Sequence, residues 1–144
     1  MGVSVRGEGG QMTIEFAVAF PVLLAIALIS VNVVLFLSEC SSFDRLFRQE
    51  VARLAPSPSY GQTGAEIAGL VESDLAENFD HDYLRVHVSC SGRADGLVSY
   101  VGTLEFSPTL FGKGSLRGAF GVSFPPLSHR QELMVDMYRP GVLI

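Results

Sequence analysis

Few residues in this chain are placed to do chemistry. Glu15 stands at the edge of an unbroken apolar run, Phe16 to Leu37, that contains no Asp, Glu, Lys, Arg or His. By insertion scales a lone carboxylate costs about 3 kcal/mol at mid-membrane, and less near the surface. Glu15 therefore needs either a partner or a place in a headgroup layer. His81 lies between Asp80 and Asp82, which invites a metal. Adjacent loop residues seldom all face one ion, however, and no further His or Cys cluster completes a shell. The reading is no metal and no cofactor. His87 alternates with core positions and should face outward, and His129 falls near a strand start. Cys40 and Cys90 are compatible with one disulfide in an oxidising compartment, and equally with two buried thiols. A bond between them would close a loop of about 50 residues and add about 4 kcal/mol. No serine has a nucleophile-elbow setting, and "GKGS", Gly112 to Ser115, lacks the full phosphate-loop pattern. "LSEC", Leu37 to Cys40, misses a lipidation signal because Glu39 stands where a small residue is required. With no convergent acid, base and nucleophile, the chain reads as a non-enzyme.

The elements that carry these residues follow from hydropathy. Of 144 residues, 48% are hydrophobic, and the mean hydropathy of +0.35 is high for a soluble domain. The excess is concentrated in Phe16 to Leu37, about 22 residues, or roughly 33 Å as a helix against a hydrocarbon core of about 30 Å. Ser30 and Asn32 are its only polar breaks, so it has no polar face and reads as a membrane-spanning helix. The chain after Ser38 suffices for one small domain and not for two. A net charge of −5 excludes the basic footprint that nucleic acid needs.

Met1 to Gly10 is Gly-rich, lacks apolar periodicity and reads as a disordered leader. An apolar helix follows from Gln11 to Leu37, with a kink expected at Pro21. It continues as an amphipathic helix from Ser38 to Leu54. Phe43, Leu46, Phe47, Glu50 and Leu54 share one side with Val51 beside them, and Asp44 and Arg48 are spaced to pair. Pro56 and Pro58 end it. A second helix is expected over Ala65 to Phe79, its stripe made by Ile67, Leu70, Val71, Leu75 and Phe79. Period-two alternation then predicts a strand with Leu84, Val86, Val88 and Cys90 inward. After a turn at "SGRADG" comes a second, with Val98, Tyr100, Gly102, Leu104 and Phe106 on one face. A loop with a short strand near Ala119 to Phe124 and a last strand from Arg130 to Tyr138 complete the chain. The expected class is α+β: a long N-terminal helix, a second helix and a small antiparallel sheet.

The order Gly10, Gln11, Met12, Thr13, Ile14, Glu15, Phe16, followed at once by the apolar run, resembles the class III signal of type IV pilin-like proteins. In that superfamily "TIEFAVAFPVLL", Thr13 to Leu24, looks most like the TadE/TadF-like minor pilins, or pseudopilins, of tight-adherence (Flp) systems. The likeness covers roughly the first quarter of the chain. It implies cleavage by a prepilin peptidase between Gly10 and Gln11, with residues 1–10 as leader, 11–37 as transmembrane helix and 38–144 as extracytoplasmic head. Glu15 becomes the fifth mature residue, with Phe16 after it, and meets the α-amine of a neighbouring subunit to set helix register. Gln11 departs from the aromatic often found first in type IV pilins. The implied partners are the peptidase, other minor and major pilins, the membrane assembly platform and the lipid bilayer. The implied location is the bacterial inner membrane, single-pass, or an extracellular pilus. Counting Lys and Arg alone points the other way, because Arg6 is outnumbered by Arg45, Arg48 and Arg53 beyond the run. The alternative is an uncleaved, single-pass, membrane-anchored binding domain.

Overall fold

The computed structural model describes residues 9–56, 61–92, 96–119 and 122–136. The first helix, α1, runs from Gly9 to Leu54 and is 46 residues long, roughly 69 Å at about 1.5 Å per residue. Gly9 and Gly10, the end of the expected leader, are helical; residues 1–8 lie outside the described residues. Pro21 lies inside α1, which continues across it although the proline has no N–H to donate to the preceding turn. At the far end the Ala55 amide donates to the Val51 carbonyl at 2.9 Å, and Pro56 follows.

Past Leu37 the helix becomes amphipathic as expected. Cys40, Phe43, Phe47 and Val51 are buried at spacings of three and four, one stripe of a helix. The Phe43 and Phe47 rings stack with centroids 5.7 Å apart. Leu46 and Leu54 pack at the margin of this core, while Glu50 pairs with Arg53 at 2.6 Å. Asp44 does not take the expected partner Arg48. Its Oδ1 meets His129 Nε2 at 2.7 Å, tying the helix to a strand distant in sequence.

The second helix, α2, spans Gly64–Asn78. Thr63 starts it with a capping box: its Oγ1 accepts from the Glu66 amide at 3.3 Å, and Glu66 Oε2 accepts from the Thr63 amide at 2.8 Å. Its buried face is Ile67, Ala68, Val71 and Leu75, with Phe79 closing the end. Leu70, expected in this stripe, is 44% exposed. The face is centred between Ile67 and Val71, and Ala68 lies on its near side where Leu70 does not.

A three-stranded antiparallel sheet takes the order β1, β2, β5, with β1 at Leu84–Gly92, β2 at Leu97–Phe106 and β5 at Leu127–Asp136. Two short strands, β3 (Gly118–Ala119) and β4 (Val122–Ser123), form a separate ribbon where one short strand was expected. β5 begins at Leu127 rather than Arg130 because Phe106, Glu105 and Leu104 pair with Leu127, Ser128 and His129. Along β2, Tyr100, Gly102, Leu104 and Phe106 are buried, as the alternation predicts. Ser99, on the opposite face, is buried as well and donates to Glu132 Oε1 at 2.6 Å. A Cβ at Gly102 would come within 2.8 Å of Phe47 Cε2 and 2.9 Å of Phe43 Cζ, so α1 lies directly on the strand backbone and only glycine fits. On the β1 side, Glu72 of α2 accepts from the Val88 amide at 2.6 Å, covering an edge group that would otherwise invite another strand. The chain is thus α+β: a long apolar N-terminal helix, a second helix and a small three-stranded antiparallel sheet.

Candidate functional site

The N-terminal half of α1 is an exposed apolar rod. Residues 12–27 are all exposed, and its most apolar window has nothing of the chain packed over it. Val22, Leu23 and Leu24 are successive large apolar residues, all exposed. Since successive helical residues point about 100° apart, no side is covered by the molecule itself. Hydrophobic surface of this extent needs lipid or other helices. One helix of this length and composition near the N-terminus is compatible with a single-pass membrane anchor. Gly10 and Gln11 are within the helix backbone. Glu15 is exposed on the rod, and the Phe16 ring beside it packs on Phe20 at 5.7 Å.

The head begins to touch α1 well inside the apolar run. Asn32 Nδ2 donates to the Leu28 carbonyl and to the Thr109 carbonyl, both at 2.9 Å. Its Oδ1 accepts from the Thr109 amide at 2.7 Å. Thr109 is fully buried, and its Oγ1 accepts from the Gly112 amide at 2.9 Å. One carboxamide thus satisfies both backbone groups of a loop residue and fixes the loop after β2 to the helix. An apolar cleft of about 200 Å³ lies between Leu28, Ile29 and Val33 on one side and Phe106, Phe124 and Leu127 on the other. A little higher, Phe36 meets Phe106 at 5.6 Å. Asn32 is the site residue that sequence reasoning missed. Its signal was there, a lone carboxamide in an apolar run, but its partner was not legible.

The cysteines are not bonded to each other: both are free thiols, Cys40 buried and Cys90 half-buried. Gly102, packed on Phe43 and Phe47, pairs with Val88. Cys90 lies further along β1, opposite Tyr100 and beside Gly64, while Cys40 is almost a turn before Phe43, so the two separate in opposite directions. Burial, and then the Asp44 carboxylate, push the Cys40 thiol above its ordinary range, which makes it a poor nucleophile. Burial followed by the charge of Glu39 raises Tyr83. His81 stacks on Tyr83 with centroids 5.1 Å apart, and His87 faces outward, its Nδ1 3.0 Å from Glu72. Among the described residues no three His, Cys, Asp or Glu side chains are grouped to hold a metal ion.

No family model matches the chain, and no curated protein or solved structure matches it.

Proposed function

We propose that this chain is a minor-pilin-like assembly subunit of the TadE/TadF kind. It would be processed between Gly10 and Gln11 and assembled through its apolar helix into a Flp-type pilus or its membrane base. The observation that carries the reading is the spacing of Gly10 and Glu15 on a helix whose next several turns are apolar on every side and uncovered by the chain's own head. A rod of that kind suits storage in lipid followed by packing against like helices. Glu15 would pair with the new α-amine at Gln11 of a neighbouring subunit. Buried pairs of this type serve register better than stability. The head would lie on the extracytoplasmic side of a bacterial inner membrane. Its partners would be a prepilin peptidase, sister and major pilins and the assembly platform. Its chemistry is assembly rather than catalysis.

The charge distribution favours a second reading. Arg45, Arg48 and Arg53 follow the apolar run and only Arg6 precedes it, as in a plain anchor whose head stays in the cytoplasm. Two variants separate the readings. In cells carrying the pilus machinery, Gly10→Val should leave a subunit unprocessed, and Glu15→Ala should allow processing but block incorporation. A plain anchor would be indifferent to both.

A further inference from the structure

We infer that the loop after β2 is a second membrane contact, its tip at Leu110 and Phe111 entering the lipid interface beside α1. The inference rests on the membrane reading of α1 and goes beyond it. The stretch of α1 with no residue covered, residues 12–27, is roughly 24 Å long, shorter than a hydrocarbon core of about 30 Å. The remainder must come from the next turns, Leu28 to Asn32, and these already carry the loop. Asn32 holds Thr109 at a point five residues inside the apolar run's end at Leu37, about 7.5 Å along the axis. A helix that spans therefore takes the loop's attachment point down with it.

The loop is built for that surroundings. Leu110 is 51% exposed and Phe111 61% exposed, next to the fully buried Thr109. The Lys113 amide donates to the Leu110 carbonyl at 3.2 Å, and φ is +54° at Phe111 and +75° at Gly112. Two positive φ values at the centre of a hydrogen-bonded turn are the signature of type I′, a turn that Asn, Asp or Gly occupies at low cost. A phenylalanine there is strained, which the fold tolerates while leaving the ring uncovered; such strain points to use at the site. Lys113 and Arg117 are exposed on the same loop and can reach headgroup phosphates while their stems lie against acyl chains. Asp80 and Asp82 share a cleft with Lys113, and their carboxylates limit the entry to the interface.

The chain has no tryptophan, so single reporters can be placed at will. Phe111→Trp, Leu110→Trp, Phe20→Trp in the apolar rod and Leu70→Trp on the outer face of α2 would each be made in the full chain. Each would be reconstituted in two sets of vesicles, one containing phospholipid brominated near the glycerol backbone and one containing phospholipid brominated at the acyl-chain ends. Phe111→Trp and Leu110→Trp should emit to the blue of Leu70→Trp and lose emission to the brominated lipid, and Phe20→Trp should be quenched by chain-end bromines. Water-like emission without quenching at both loop positions, with Phe20→Trp quenched, would overturn the inference and leave the membrane anchor standing. Blue emission without quenching would mean that a second copy covers the loop, which also overturns it. Absence of quenching at Phe20→Trp would remove the membrane reading itself.

Discussion

Replacing Asn32 with leucine tests how the head is held to the helix. Leucine keeps the branched outline of asparagine and is larger and more apolar, so α1 should form and insert at least as well. The Thr109 amide loses its acceptor and the Thr109 carbonyl its donor, at a residue with no exposed surface. An orphaned buried group costs about 1–3 kcal/mol, so with two such groups the closed loop should lose about 2–6 kcal/mol. At about 1.4 kcal/mol per tenfold, opening becomes roughly 30-fold to about 20,000-fold more frequent. Amide exchange of the purified full chain in lipid nanodiscs measures this directly. The Thr109 amide should exchange faster by a factor in that range, and so should the Gly112 amide, which depends on Thr109 Oγ1. Amides in the middle of β2 should not change. Unchanged exchange at Thr109 would refute the claim that Asn32 anchors the loop. Equal acceleration throughout β2 would show that the substitution unfolds the head instead.

Further predictions concern the core. Gly102→Ala places a methyl group against the Phe43 and Phe47 rings and should cost about 1–3 kcal/mol in denaturant unfolding of the head, with part recovered by Phe47→Leu. Tyr100→Phe should be neutral or stabilising by about 1 kcal/mol, because the Tyr100 hydroxyl is buried without a hydrogen-bond partner among the described residues. Cys40, Tyr83 and Tyr100 all titrate above their ordinary values, chiefly through burial. The unfolded chain therefore loses these protons first. Stability should be fully present below pH 9.0, the ordinary thiol value, and decline as pH rises from there through the raised folded values. Thermal melts across that range would check this. A thiol reagent at neutral pH should label half-buried Cys90 before buried Cys40; the reverse order would contradict the packing of α1 on the sheet.

The parts of the fold that repeat locally are legible in the sequence. Phe43, Phe47 and Val51 announce a buried helical stripe, and Leu84 to Val88 and Tyr100 to Phe106 announce strands, because each pattern is set by neighbours within a turn or a pleat. Leu70 misleads because Ile67, Val71 and Leu75 already define a face, and a leucine three residues from one of them fits the same periodicity until packing centres the stripe. Contacts distant in sequence are not legible. Asn32 and Thr109 are 77 positions apart, and Asp44 and His129 are 85 apart, so the nearer Arg48 is the natural but mistaken partner for Asp44. The same holds for the cysteines, whose separation depends on how β1 runs along α1. Gly102 shows the intermediate case. Its place on the core face follows from alternation, but the reason it must be glycine lies in two rings on another element.

The central claim is processing of the N-terminus, and the most direct test is the intact mass and N-terminal sequence of the protein from cells carrying the pilus machinery. The account predicts a terminus at Gln11, with residues 1–10 removed, and this would make Glu15 the fifth residue of the mature subunit. A chain that still starts at Met1 in those cells would contradict it and leave a plain membrane anchor.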